Sequence, residues 1–80
     1  MITVHAKLFA TLRRYRPELK IGAAFPVELP TGATVRQLIE RLGVPVKEVK
    51  VVFVNNIIRD TEHVLVAEDK VGIFPAVGGG

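Results

Sequence analysis

The residues of this sequence with the clearest chemical potential are Gly78, Gly79 and Gly80. Glycine has no Cβ and the widest choice of backbone conformations, so three in a row form a thin tether that fits a channel too narrow for side chains. The tether ends in an unhindered carboxylate on Gly80. A carboxylate is a poor electrophile, and it accepts a nucleophile only after it gains a leaving group, most simply by adenylation with ATP. The acyl-adenylate can then take sulfur, which gives a thiocarboxylate, or it can take an amine.

The rest of the chain offers no catalytic apparatus of its own. It has no phosphate-binding glycine loop, no nucleophile–base pair and no metal-ligand cluster. It also has no cysteine, so it cannot hold sulfur as a cysteine persulfide. His5 and His63 lie far apart and are expected at the surface, and the acidic residues, Asp69 among them, are scattered as solvating charges normally are. We therefore expect no metal and no permanently bound cofactor, with ATP used by an activating partner enzyme.

The composition of the chain is typical of one small folded domain. With 80 residues, 49% hydrophobic and 24% charged, it fits a single globular domain and neither a disordered nor a membrane-spanning chain. No signal peptide and no apolar stretch of membrane-spanning length is visible, so we expect a cytoplasmic protein without a membrane partner. The net charge of +3 concentrates at Arg13, Arg14, Arg16 and Lys20. A solvated loop is the first interpretation of this cluster, an acidic protein partner the second and nucleic acid the third; we expect no nucleic-acid partner.

Two segments near the N-terminus alternate with the period of a half-buried strand. Residues 2–9 place four apolar side chains on one face, namely Ile2, Val4, Ala6 and Leu8. Phe25, Val27 and Leu29 alternate again and predict a second strand that ends at Pro30. The basic segment between them predicts a loop with a helical turn.

A short amphipathic helix follows the second strand. Thr34, with Gln37 three residues later, is the pattern of a capping box at a helix start. Apolar residues then recur at the spacing of one helix face, at Val35, Leu38, Ile39 and Leu42. Gly43 stands where a helix C-cap belongs. The apolar face of this helix needs a sheet to cover.

The second half of the chain predicts further strands. Val49–Val54 is β-branched and nearly all apolar, as in a central strand, and Asn55-Asn56 suits a tight turn with positive φ. Residues 57–59 predict a brief strand, residues 60–68 a connection anchored by Val64, Leu65 and Val66, and residues 71–74 a last strand. The order predicts an α+β fold, a mixed sheet of four or five strands with one main helix on one face, which matches the ubiquitin-like β-grasp arrangement. Residues 1–75 would form this domain, and residues 76–80 a flexible C-terminal diglycine tail.

The same alternation predicts an apolar patch on the face of the sheet away from the helix. Phe9 and Phe74 fall at strand ends, opposite the core set, and one of Ile57 and Ile58 must also point outward. Such a patch usually marks an interaction site. The alternative is that the loop of residues 11–24 folds over the phenylalanines and buries them.

The C-terminal segment EDKVGIFPAVGGG resembles the end of the MoaD/ThiS family of ubiquitin-like sulfur carriers, and most closely that of the MoaD small subunits of molybdopterin synthase. That family closes with an acidic turn, a hydrophobic strand, a Phe-Pro-Pro-Val-like segment, one small residue and a diglycine. Asp69 fits the turn, and Gly78 fits the small residue before Gly79 and Gly80. VHAKLFATLR and VFVNN resemble the family's first and third strands. Ala76 replaces the commoner second proline, and Asn56 stands where glycine is frequent; neither touches the chemistry.

The resemblance implies a set of partners and contacts. An E1-like adenylating enzyme would activate Gly80, a sulfurtransferase or desulfurase would donate sulfur, and a large molybdopterin synthase-like subunit would accept it. The chain would not be catalytic alone but would serve as a small subunit or co-substrate. The partner-binding residues that the resemblance implies are Phe9, Ile58, Phe74 and Pro75, with Arg13 as a polar neighbour.

Several functions stay open at this point. The favoured one is sulfur supply for molybdopterin, the pterin of both molybdenum and tungsten cofactors. The alternatives are sulfur supply for the thiazole of thiamine, a ubiquitin-like modifier joined through Gly80 to lysines of other proteins, and a β-grasp binding module with an inert tail.

Overall fold

The computed structural model describes residues 1–20 and 22–76. In that part of the chain, two strands, β1 (Ile2–Leu8) and β2 (Phe25–Leu29), precede the helix α1 (Val35–Arg41), and three strands follow it, β3 (Val49–Val54), β4 (Ile57–Arg59) and β5 (Lys70–Pro75). Two 3₁₀ helices complete the elements, the first at Ala10–Tyr15 and the second at Val46–Glu48. The predicted elements are confirmed, and the helical turn expected after β1 is the first 3₁₀ helix.

The sheet has the order β2-β1-β5-β3-β4, so the strand nearest the C-terminus lies in its centre. β5 runs parallel to β1 and antiparallel to β3, while β2 and β4 are antiparallel edge strands. The parallel pairing requires a crossover between β1 and β5, and α1 lies in that crossover. This mixed sheet with one main helix is the β-grasp, ubiquitin-like fold predicted from the order of elements.

The helix starts and ends where its sequence predicts. The Thr34 side chain accepts a hydrogen bond from the Gln37 N–H, and the Gln37 side chain accepts one from the Thr34 N–H, which completes the capping box. Beyond the C-cap at Leu42, Gly43 adopts a φ of +77°, the left-handed conformation that glycine enters at least cost.

One side of the sheet packs against α1 and forms the core. Most of the alternate strand residues on this side are buried together with the apolar face of the helix. The main contributors are Val4, Ala6, Leu8, Val52, Val54, Val71 and Ile73 from the sheet, and Val35, Leu38 and Ile39 from α1. The period-two prediction for residues 2–9 is therefore confirmed, although Ile2 is only half-buried.

Two sequence-based expectations for residues 60–69 are wrong. Of the three side chains expected to anchor this connection, Leu65 is buried, but Val64 and Val66 are 51% and 60% exposed. Asp69 is not a solvating charge but the one buried charged residue of the described chain. Its carboxylate accepts hydrogen bonds from the Asn55 side chain (2.9 Å) and the Val66 N–H (2.8 Å).

The bonds of Asp69 explain why the connection needs few apolar anchors. They tie the end of the connection to the Asn55-Asn56 turn, whose residues have φ of +52° and +71° as predicted. The Asn55 side chain in turn accepts the Lys70 N–H at 3.0 Å, at the first residue of β5. Polar contacts therefore fix the entrance of β5 where apolar packing is sparse.

Candidate functional site

The side of the sheet away from α1 carries an aromatic face, which we define as Phe9, Phe53, Phe74 and Ile58. Phe9 and Phe74 stack with ring centroids 4.1 Å apart and an interplanar angle of 4°. Phe53 meets Phe74 edge-on at 5.5 Å. The three rings are half-buried, while Ile58 is 64% exposed. Stacked and edge-to-face ring pairs of this kind add stability beyond simple apolar burial.

Strand register explains how these side chains come together. Phe53 pairs with Ile58 across β3 and β4 and with Gly72 across β3 and β5, and directly paired residues point to the same side of a sheet. Phe9 follows β1 and extends its ladder by donating its N–H to the Ile73 carbonyl at 3.1 Å. Ala10, with φ of +52°, then turns the chain away into the first 3₁₀ helix.

Gly72 is the reason that the Phe9 ring can lie across β5. A Cβ at position 72 would come within 3.2 Å of Phe9 Cε2 and 3.5 Å of Phe74 Cε1. Glycine inside a strand often marks such a close approach. The missing side chain therefore lets the stacked rings sit low on the sheet.

The opposite end of the same side is polar. A hollow of ≈ 790 Å³ extends from the phenylalanines to His5, Lys7, Glu68 and Lys70. His5 Nε2 lies 2.9 Å from Glu68 Oε1, so His5 is the hydrogen-bonded surface histidine that the sequence predicted. The side is thus divided into an apolar end beside the C-terminus of β5 and a charged end beside its N-terminus.

The segment that leads to Gly80 leaves the sheet at the apolar end. Pro75 closes β5, is buried and pairs with Val49. Ala76 donates its N–H to the Glu48 carbonyl at 3.2 Å. The aromatic face therefore borders the root of the tail, by which we mean Pro75 and Ala76. A partner that binds this face would also lie beside the start of the tail.

The loop of residues 11–24 leaves most of the aromatic face open in the part that the structure describes. Leu12 of the first 3₁₀ helix is buried in the core, and Arg16 donates to the Leu42 carbonyl at 3.3 Å, so this helix lies toward the α1 side. Ala24 is the described loop residue that lines the hollow with the phenylalanines. The alternative interpretation, in which this loop buries the aromatic face, does not hold among the described residues.

The predicted site residues have different fates in the structure. Phe9, Ile58 and Phe74 come together, whereas Pro75 is buried and has little surface to offer a partner. Arg13 is half-buried in the first 3₁₀ helix beside a shallow depression that Ala10, Thr11 and Pro17 also line. Gly78, Gly79 and Gly80 lie outside the described residues.

Sequence reasoning missed two members of this site. Phe53 alternates with the buried Val52 and Val54, a pattern that would have placed it on the outer side of the sheet. Gly72 could have been found as a glycine inside a predicted strand. A cluster of three or more side chains able to hold a metal ion is absent from the described residues. Among the helices of residues 1–20 and 22–76, none has the length and apolar character needed to cross a membrane.

Comparison with known proteins agrees with this geometry. The family model described as the ThiS family matches residues 6–80. A Pyrococcus furiosus protein assigned as molybdopterin converting factor, subunit 1, superposes with a TM-score of 0.74 and 28% identity, over 96% of this chain and 100% of that one. Small archaeal modifier protein 1 of Haloferax volcanii superposes with a TM-score of 0.75 at 20% identity, over 96% of this chain and 100% of that one, which shows a shared fold.

Another Haloferax volcanii protein, known from a solution structure, reaches a TM-score of 0.76 at 22% identity, over 99% of this chain and 87% of that one, and again shows the fold. Among curated proteins, none matches this chain. The family match covers nearly the whole sequence, including the glycine tail and the strand that leads into it. The chain belongs to the ThiS family of ubiquitin-like sulfur carriers.

Proposed function

We propose that this chain carries sulfur as a thiocarboxylate on Gly80 and delivers it for molybdopterin synthesis. The observation that carries the proposal is the position of the aromatic face beside the strand that leads into the glycine tail of a sulfur-carrier family member. The relative assigned as a molybdopterin converting factor subunit supports the molybdopterin branch over the thiamine branch. Both molybdenum and tungsten cofactors use the same pterin dithiolene, so one carrier could serve either.

The proposed chemistry takes place on the Gly80 carboxyl group. An E1-like partner joins this carboxylate to the α-phosphate of ATP and releases pyrophosphate. A sulfurtransferase or desulfurase then presents a cysteine persulfide, whose outer sulfur attacks the acyl carbon and displaces AMP. A thiol reductant cleaves the S–S bond of the resulting acyl disulfide, which leaves the thiocarboxylate on Gly80 and returns the partner's thiol. The resulting thiocarboxylate passes its sulfur to the pterin precursor inside a large synthase-like subunit, and hydrolysis returns the carboxylate. The partner enzymes supply every catalytic group in this series of reactions.

Docking in this scheme uses the aromatic face. Rigid aromatic side chains lose little conformational freedom on binding and are frequent at the energetic centres of interfaces. A standard interface covers about 800 Å² on each partner, which one side of this sheet and the tail could supply. Phe9, Phe74 and Ile58 would form the centre of the contact and Arg13 its edge. The buried Pro75 would act indirectly, by holding the end of β5 against Val49.

A second candidate function is that of a protein modifier. The fold shared with small archaeal modifier protein 1 favours it, and its first step is the same adenylation of Gly80. The two functions separate at the acceptor, because a modifier passes its acyl group to a lysine amine and forms an amide with another protein.

Intact mass spectrometry of the protein from its native host tests these proposals. We expect a species heavier by the difference between sulfur and oxygen, with the change located at Gly80. The matched control lacks Gly79 and Gly80 and should keep its unmodified mass. Incubation with ATP, the E1-like enzyme of the same organism and a sulfur donor should regenerate the heavier species. An unmodified mass after that incubation would exclude the carrier function, and amide-linked conjugates would favour the modifier.

A further inference from the structure

Glu48 connects three parts of the molecule at the root of the tail. It is the last residue of the second 3₁₀ helix, and its side chain is 29% exposed. Its Oε1 accepts a hydrogen bond from Arg14 at 2.5 Å and another from the Tyr15 hydroxyl at 3.0 Å. Its backbone carbonyl accepts the N–H of Ala76 at 3.2 Å. One residue therefore joins the first 3₁₀ helix to the first residue after β5.

The contacts around Glu48 form a network rather than an isolated surface ion pair. Arg14 also donates to the Thr11 carbonyl at 3.3 Å, and its guanidinium carbon lies 4.9 Å from the centre of the Tyr15 ring. The Tyr15 ring is half-buried against the core, which limits the movement of its hydroxyl. Networks anchored in this way hold their geometry better than exposed charge pairs do. We call Arg14, Tyr15 and Glu48 the root clamp.

The root clamp lies beside Ala76, and the position of Ala76 limits the positions that Gly80 can reach. Four residues separate Ala76 from the end of the sequence, and a fully extended chain of four residues spans at most about 14 Å. Over so short a distance, the direction of the chain at Ala76 limits the positions that the Gly80 carboxyl carbon can reach. A bond that fixes Ala76 also removes backbone freedom that would otherwise be lost during the reaction.

We propose that Glu48, held by Arg14 and Tyr15, is a positioning residue that fixes the direction in which the tail leaves β5 and so aligns the Gly80 carboxylate for adenylation. This role rests on the proposed function, because alignment matters only if Gly80 is activated. The aromatic face provides binding to the partner, and the root clamp provides the direction of the tail. The two contributions are therefore separable in kinetics.

The test compares Glu48→Ala with the conservative Glu48→Gln. Alanine removes both side-chain bonds of the clamp, whereas the glutamine oxygen can still accept from Tyr15 and Arg14. We expect the Ala76 amide of Glu48→Ala to exchange its hydrogen at least about fivefold faster than in the wild type, which is the scale of freeing one backbone residue. Glu48→Gln should remain close to the wild-type rate. This measurement uses the free protein and needs no partner.

The second readout is ATP-dependent pyrophosphate release by the E1-like enzyme of the same organism. We expect Glu48→Ala to lower kcat about three- to tenfold with little change in KM, because the aromatic face is intact, and Glu48→Gln to restore kcat. Tyr15→Phe, which removes one hydroxyl and keeps the ring, should lie between the two. This variant replaces Glu48→Ala if the latter does not fold.

Three results would overturn the proposal. Equal Ala76 exchange in Glu48→Ala and the wild type would show that the clamp does not hold the tail. Faster exchange with unchanged kcat would show that holding it has no role in activation. A wild-type protein that the enzyme cannot adenylate would refute the proposed function itself, and the positioning role would fall with it, while the exchange data would still show whether the clamp contact exists.

Discussion

The two sides of the sheet are built from alternate residues of the same strands, yet they differ in how completely they are covered. On the inner side, α1 buries Ile73 and Val71 almost fully. On the outer side, their neighbours Phe74 and Gly72 are half-buried, and the phenylalanines cover one another. The described part of this 80-residue chain has one main helix, which covers the inner side of the sheet. On the outer side, aromatic side chains provide the partial cover. The inner side therefore supplies most of the buried packing, and the proposed function assigns recognition to the outer side.

The largest expected effect on stability belongs to the inner side. Leu38→Ala removes a fully buried side chain of α1 and should lower the free energy of unfolding by about 2–5 kcal/mol, the usual cost of a cavity in a packed core. Urea denaturation followed by circular dichroism measures this loss. Arg36→Ala on the exposed face of the same helix is the control and should change stability by no more than about 0.5 kcal/mol. Equal losses in the two variants would mean that the core does not depend on the α1 contact.

The second prediction concerns Phe74 on the outer side. Its replacement should lower partner affinity strongly and stability only moderately, whereas replacement of Leu38 acts mainly on stability. Phe74→Ala should cost about 1–2 kcal/mol of stability, since the ring is only half-buried. Its affinity for the E1-like enzyme should fall more than about tenfold, as for a central aromatic of an interface. Isothermal titration calorimetry measures the affinity, and Glu28→Ala on β2 is a control. An unchanged affinity would remove the aromatic face from the docking model.

The smallest effect on stability is expected at Ile58, which has a matched neighbour. Ile58→Ser and Ile57→Ser each alter an exposed isoleucine of β4, and each should change stability by no more than about 0.5 kcal/mol. Ile58 lies beside Phe53 on the outer side, whereas Ile57 pairs with Val54 and points to the inner side. Only Ile58→Ser should therefore weaken partner binding, by roughly three- to tenfold. Equal weakening by both variants would place the contact on the β4 edge instead.

Much of the inner side could be predicted from the sequence because it follows from periodicity. The alternation of residues 2–9, the capping box at Thr34 and the turn at Asn55 each depend on neighbouring residues, and the structure has all three. The position of Phe9 and Phe74 on the outer side followed from the same alternation. The sequence was sufficient to predict a structural feature wherever that feature depends on residues close together in the chain.

The remaining features depend on contacts between distant segments. The root clamp joins Glu48 to Arg14 and Tyr15 across 34 and 33 positions of the chain, and no spacing rule predicts such contacts. The burial of Asp69 similarly depends on Asn55, a residue of a different turn. The strand order, with β5 in the centre, is also set by long-range pairing rather than by local sequence. These features explain why the aromatic face was predicted better than the contacts of Glu48 at the end of β5.

The central position of β5 has a consequence for folding during translation. A ribosome releases this strand after the other four, so β1 and β3 cannot pair with their shared neighbour until β5 has emerged. Pairing segments so far apart in the chain is a slow and late step of folding. Because the glycine tail directly follows β5, a chain broken off before this strand lacks both the central strand of the sheet and the glycine tail. Under the proposed function, only chains that have completed β5 could therefore be adenylated at Gly80.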